Sequence, residues 1–137
     1  MAHWLLKSEP SSWSWQQQVA AGAEGTSWNG VRNHQAKLNL MAMKIGDEAF
    51  FYHSNEGKEI VGIVAITKLY YPDPSDSSGK FGMVDVKAVK PLVSPVSLET
   101  IKHQPKLAKM VLVNNSRLSV QPVTDAEWKL VCKMGGI

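Results

Sequence analysis

The sequence predicts an α+β fold: several mostly antiparallel strands curl into a sheet or small barrel, and short helices fill the joins. Three observations carry this expectation. The β-branched and aromatic runs "DEAFFYHS" and "EIVGIVAITKLYY" are separated only by the short turn "NEGK", which is the pattern of a hairpin. The segments with helical spacing are short. The order of strand-like and helix-like segments is mixed, without the regular alternation of a doubly wound parallel sheet.

In chain order, "HWLLKSE" (3–9) reads as a first strand ended by Pro10. Ser11 or Ser12 is expected to cap a short helix over "WSWQQQVAAG", with Gly22 as its stop. "GTSWNG" is expected as a loop. "GVRNHQAKLNLMAMKIGD" places Val31, Leu38, Met41, Ala42 and Ile45 at roughly helical spacing, which predicts a helix with that face buried and Gly46 at its end. The strand "EIVGIVAITKLYY" is nearly all apolar and is expected at the centre of the sheet. "YPDPSDSSG" has turn residues throughout. "KFGMVDVKAVKPL" alternates, with Val84, Val86 and Ala88 on one face against Asp85 and Lys87 on the other, as in a half-exposed strand. Ser97 is expected to cap a short helix broken by Pro105. "SRLSVQPV" predicts a last strand that Pro122 pushes to a sheet edge. Thr124 or Asp125 should then cap a closing helix, with Gly135 past its end.

At 137 residues, 44% hydrophobic and 20% charged, the chain is expected to be one domain, residues 1–137, that buries its own core. The single cysteine, Cys132, excludes an intramolecular disulfide and a cysteine-built zinc site, and fits a reducing compartment, the cytoplasm or a nucleus. No signal peptide is read at the start. The longest apolar run, "IVGIVAI", is far too short to span a bilayer as a helix, so no membrane partner is expected. The net charge of +3 is mild, but Lys87, Lys90, Lys102, Lys106, Lys109 and Arg117 face one acid, Glu99, over that stretch. Such patches suit a polyanion, and equally a solvated basic surface.

Phosphate-loop and dinucleotide motifs are absent, since Gly79-Lys80 is followed by Phe81 rather than a magnesium-holding hydroxyl. The four histidines are scattered, so neither a metal nor a cofactor is expected. Lys7, Ser8 and Glu9 gather at the end of the first strand. Alternation sets Lys7 and Glu9 on one face and Ser8 on the other; the group suits acid–base or nucleophilic work, or an exposed ion pair. "SWNGVRN" puts Trp28 ahead of a helix that Asn29 or Gly30 would cap, a stacking platform for a planar ligand or else a core tryptophan. In "SRLSVQPV", Arg117, Ser119 and Gln121 share the face opposite Leu118, Val120 and Pro122. In "AFFYHS", Phe51 and His53 share one face, and Phe50, Tyr52 and Ser54 the other. One set would fill the core and the other would line a concave mouth suited to a flat, polar-edged molecule.

These segments in order, "WLLKSEP", "WNGVRN", "FFYHS", "IVGI", "YPD" and "SRLSVQPV", resemble the EVE domain family from about His3 to Met134. The long basic tail of the eukaryotic nuclear members is not seen here, so nuclear targeting is not expected from the sequence. The resemblance implies a PUA-like fold related to the YTH readers of methylated adenine. It also implies a binding module that takes a modified nucleobase into a pocket, above all modified cytosine in DNA, with RNA as the other nucleic-acid partner. The implied pocket residues are Lys7, Ser8, Trp28, Asn29, Arg32, Tyr52, His53, Ser54, Arg117 and Ser119. Trp28 and Tyr52 would stack on the base, and Ser8, Asn29, Ser54 and Ser119 would read its edge. Lys7, Arg32 and Arg117 would meet phosphates or orient other groups, while His53 either donates in the pocket or bonds within the barrel. Trp4, Trp13 and Trp128 are expected to pack, and Trp15 to be partly exposed. The alternative is a small hydrolase acting on a modified nucleoside through Lys7, Ser8 and Glu9, the residue types that some related PUA-like enzymes combine.

Overall fold

The computed structural model describes residues 2–137. Among them, strands β1 (His3–Ser8), β2 (Thr26–Ser27), β3 (Glu48–His53), β4 (Glu59–Pro72), β5 (Gly82–Ser97) and β6 (Val120–Val123) form one sheet in the order β2-β5-β4-β3-β1-β6. β1 and β3 pair in parallel, and the other neighbours are antiparallel. The α+β class holds. The ladder ends at β2 and β6, and the register slips repeatedly along β4 and β5, where each irregularity bends and twists the ribbon.

The predicted hairpin is β3–β4, and its turn places Asn55, Gly57 and Lys58 at positive φ. β4 sits centrally between β3 and β5, as its apolar run requires. β6 is an edge strand with Pro122 exposed, although it begins at Val120 rather than at Ser116. Two expectations fail at β2 and β5. Thr26 and Ser27 are a short strand rather than loop, paired with Val86 and Asp85. β5 runs on through Pro91 and Pro95 to Ser97.

Side-chain alternation on β1 and β3 divides the interior in two. Trp4, Leu6 and Phe51 belong to one cluster with Val64, Val84 and Val86. Leu5, Phe50 and Tyr52 belong to the other with Ile60, Ile63 and Val131. The aromatic run of β3 is therefore covered on both faces, and neither set of rings opens into a mouth. Burying one large apolar side chain contributes about 1.5–3 kcal/mol, so this layered arrangement fixes the register of both strands.

Helix α1 (Trp15–Ala20) starts at Ser14, not at Ser11 or Ser12. Its capping box pairs Ser14 with Gln17. Helix α2 (His34–Ala42) starts later than the sequence reading, with the Asn33 side chain accepting from the Ala36 N–H. Its buried positions are Ala36, Asn39 and Leu40, whereas Leu38, Met41 and Ile45 stay exposed. The apolar spacing thus pointed to the wrong face. Asn39 decides the matter by donating to the Val120 carbonyl at 2.7 Å, which turns its own side of the helix inward. Ser97 caps α3 (Leu98–Lys102) and Thr124 caps α5 (Asp125–Met134), both as predicted. A short α4 (Val111–Asn114) between them lacks any side-chain cap that would have announced it.

Candidate functional site

The C-terminal end of β1, the entry to α1 and the segment after β2 enclose a cavity of about 560 Å³. Lys7, Ser8 and Glu9 line it from β1, and Ser12 and Trp13 from the turn that follows. Thr26, Ser27, Trp28, Asn29 and Gly30 close the far side. Four of the predicted site residues, Lys7, Ser8, Trp28 and Asn29, are brought together here.

Their environments differ from the roles first expected of them. Trp28 is 7% exposed, and its ring meets Phe51 edge-on with centroids 5.5 Å apart; it is a core tryptophan that shows the cavity only a margin. The Ser8 hydroxyl donates to the Trp13 carbonyl at 2.6 Å. The Lys7 ammonium donates to the Ser116 carbonyl and stands 5.6 Å from the Tyr52 ring centroid. Burial pushes its pKa down. Glu9 accepts from the Asn55 amide at 2.7 Å. Lys7, Ser8 and Glu9 thus engage three separate partners, and no hydrogen bond links them to one another among the described residues. An activated hydroxyl has its base within hydrogen-bond reach; the Ser8 hydroxyl is bonded to a backbone carbonyl instead.

Trp13 is the aromatic that sequence reasoning assigned to packing alone. It is half-buried, it lines the cavity, and its indole N–H donates to Gln18 Oε1 at 2.9 Å. Gln18 is fully buried and reaches the Val86 carbonyl at 3.4 Å. The indole is therefore tied through α1 to β5. The available signal was its position immediately before the N-cap Ser14, where an apolar residue can pack against the first turn of the helix.

Arg32 lies just beyond Gly30 and bonds to Asp73 and Ser75. Phe81 nearby has Arg32 at 5.8 Å, Lys37 at 5.9 Å and the His34 ring at 5.1 Å, forming a cationic shelf. Other predicted residues lie elsewhere. Tyr52 is buried in the second cluster, with its phenol pKa raised by burial. It cannot stack on a ligand in the cavity from that face. His53 Nε2 accepts the Trp15 N–H at 3.1 Å, and burial lowers its pKa against a smaller opposing effect from Glu59. That bond ties the ring to the start of α1. Ser54 donates its backbone N–H to the Ser8 carbonyl at 2.9 Å. The Ser119 carbonyl accepts from the Lys7 N–H at 2.9 Å, and Arg117 is exposed on the turn before it. Gln121 does not share an open face with them, because it is fully buried and donates to the Leu118 carbonyl.

Of the tryptophans expected to pack, Trp4 is buried and donates to Asp47 at 3.1 Å. Trp128 stacks between His3 and Phe50, at 4.2 and 3.9 Å. Trp15 is partly exposed, as expected. No group of metal-ligating side chains occurs among the described residues, and none of their helices is long and apolar enough to cross a membrane.

Known proteins share this architecture. Thymocyte nuclear protein 1 from Homo sapiens is 38% identical over 97% of this chain and 73% of its own length. The NMR structure of Rpa0253 from Rhodopseudomonas palustris is 66% identical with a TM-score of 0.94, covering 99% of this chain and 94% of that one. The crystal structure of human THYN1 protein in complex with 5-methylcytosine containing DNA is 35% identical with a TM-score of 0.92, covering 100% and 99%. At 18% identity and a TM-score of 0.60, a YTH domain from Zygosaccharomyces rouxii shares the fold alone. The EVE domain model matches residues 2–134, and with nearly the whole chain so matched, this protein belongs to the EVE domain family.

Proposed function

We propose that residues 1–137 act as a single binding module for a modified nucleobase, modified cytosine in DNA first and RNA second, by taking the extruded base into the cavity between Trp13 and Trp28. The carrying observation is a cavity of about 560 Å³ bordered by the Trp13 indole and a margin of Trp28 and edged by hydroxyl, amide and carboxylate groups, in a chain that superposes on human THYN1 solved with 5-methylcytosine containing DNA. The volume lies within the range of roughly 300–1,000 Å³ typical of small-molecule sites. Trp13 supplies the stacking surface, and Ser12, Ser27 and Asn29 offer contacts to the base edge. Arg32 and Lys37 beside Phe81 face the flanking phosphates. Cys132 as the single cysteine supports a reducing compartment, which we place in the cytoplasm.

The energetics are adequate. Extrusion costs a few kcal/mol, and stacking returns about 1–3 kcal/mol per base. A methyl group adds only about 1–3 kcal/mol of discrimination, so selectivity for modification should be modest. The test is binding of the purified chain to matched oligonucleotides carrying unmodified, methylated, hydroxymethylated or formylated cytosine at one fixed salt concentration, with product analysis by mass. Tighter binding to a modified strand without a new product supports the reading. Uniform binding that depends on salt alone overturns it.

A further inference from the structure

Glu9 is solvent-exposed and sets a carboxylate at the rim of the cavity. Its Oε1 accepts from Asn55 Nδ2 at 2.7 Å, and Asn55 holds a left-handed backbone, φ 63°, in the turn between β3 and β4. Asparagine tolerates that conformation better than most residues, so the turn can present its amide to Glu9. A carboxylate has acceptor sites on both oxygens and donates nothing. The Asn55 bond orients the group and leaves Oε2 without a protein partner among the described residues. Lys7, two residues earlier, does not neutralise it, because the Lys7 ammonium is directed to Ser116 and over Tyr52.

At that rim the carboxylate repels an anion and attracts a hydrogen-bond donor, so an amino-bearing edge fits beside Glu9 better than a phosphate does. We infer that Glu9 reads the exocyclic amino group of the bound base and makes the ligand cytosine-like rather than thymine-like; this rests on the base-pocket reading above. 5-Methylcytosine and thymine carry the same methyl group. They differ along one edge, where cytosine presents an N4 amino group and an N3 acceptor and thymine presents a carbonyl and an N3–H. A carboxylate accepts from the amino group and opposes the carbonyl oxygen's lone pairs.

The experiment compares the wild-type chain with Glu9→Gln on single-stranded oligonucleotides carrying cytosine, 5-methylcytosine or thymine at one position, which removes the cost of unpairing. The glutamine side chain keeps an acceptor for Asn55 and adds a donor that can meet a carbonyl. The wild type should bind 5-methylcytosine about tenfold or more tighter than thymine, and the variant should lose about tenfold of that ratio. A wild-type preference that Glu9→Gln leaves unchanged overturns the role of Glu9 alone. A wild type that treats cytosine, 5-methylcytosine and thymine alike overturns the base-pocket reading and this inference with it.

Discussion

Asp73 Oδ2 lies 3.2 Å from Arg32 Nη1, and the Asp73 side chain has no exposed surface while the Arg32 side chain is 40% exposed. The same carboxylate accepts the Gly30 N–H at 2.8 Å, the Ser75 N–H at 2.8 Å and the Ser75 hydroxyl at 2.6 Å. One buried acid therefore pins the turn after β4 to the segment that carries Asn29 and Gly30 into the cavity wall.

Asp73→Ala leaves the Gly30 and Ser75 donors without their acceptor, which should cost about 1–3 kcal/mol of stability. Arg32→Ala removes only the exposed partner and should cost about 0–1 kcal/mol. Urea denaturation of both variants with a common m value checks the ranking. The reverse order would mean that the ion pair, and not the network on the acid, holds the loop.

The same acid gives a pH dependence. Burial alone would raise the Asp73 pKa, but the bonds from Ser75, Gly30 and Arg32 outweigh it and hold the group down to about 2. An unfolded aspartate titrates at about 3.9. A depressed folded value means the stability is fully present above the unfolded pKa and is lost as pH falls toward the folded one. The stability gap between wild type and Asp73→Asn should therefore be constant above about pH 5 and should narrow between about pH 4 and 2. Urea midpoints along that series measure it. Asp76, also held to about 2, is present in both proteins and drops out of the difference.

Most of the strand framework was legible because local chemistry and burial agreed. "NEGK" can turn, β4 is apolar enough for the sheet centre, and Ser97 and Thr124 are good caps. Where a single distant polar contact decided, the sequence misled. Asn39 finds Val120, 81 residues away, and so buries a face of α2 that carries fewer apolar residues than the exposed one. Gln121 fits the alternation of its strand, yet it turns its amide back to Leu118 inside the core. The candidate site was legible at "LLKSEP" and "SWNG", which converge on the cavity. Asp73 was hidden among turn residues, since nothing local distinguishes a loop aspartate from one that clamps Gly30 and Arg32. Tyr52 was misplaced because alternation tells which residues share a face, not which face holds the ligand.

Gly25 should tolerate no side chain. It has φ 67° and ψ −156°, a region open essentially to glycine alone, and an added Cβ would sit 2.1 Å from the Val86 carbonyl oxygen. Since β2 begins at the next residue, Gly25→Ala should push β2 off β5 and loosen the Trp28 wall. The expected loss is about 2–4 kcal/mol, from backbone strain together with overpacking. Faster hydrogen exchange at the Trp28 N–H, which donates to the Val84 carbonyl at 2.7 Å, would locate the damage. Unchanged exchange there would separate Gly25 from the cavity wall.

His53 should titrate below an unperturbed histidine. Burial lowers its pKa more than Glu59 raises it, and its Nε2 must be unprotonated to accept the Trp15 N–H. With the folded value below the unfolded one, its contribution is present above about pH 6.5 and is lost as pH falls through the folded pKa. An NMR titration of the imidazole should give a midpoint below that of the denatured chain. His53→Ala should remove the slope and cost about 1–3 kcal/mol by leaving the Trp15 N–H without its acceptor. A midpoint at or above the denatured value would mean the ring is bonded as a donor instead.

The two cavity tryptophans should separate binding from stability. Trp28 is 7% exposed and packs on Phe51, so Trp28→Ala should cost about 3–5 kcal/mol and weaken binding through the fold as much as through the ligand. Trp13 is half-buried and held by one indole hydrogen bond to Gln18. Its removal leaves the buried Gln18 Oε1 without its donor, a cost of about 1–3 kcal/mol, so the melting transition should shift less than for Trp28→Ala. If Trp13 stacks on the base, the loss of about 1–3 kcal/mol appears in binding, a factor of roughly 5 to 150 in Kd. Thermal melts and oligonucleotide titrations on both variants provide the comparison. Trp13→Ala that binds like the wild type would move the stacking surface to another wall of the cavity, whereas a loss of affinity larger than the loss of stability can explain assigns it to Trp13, the less buried of the two cavity tryptophans.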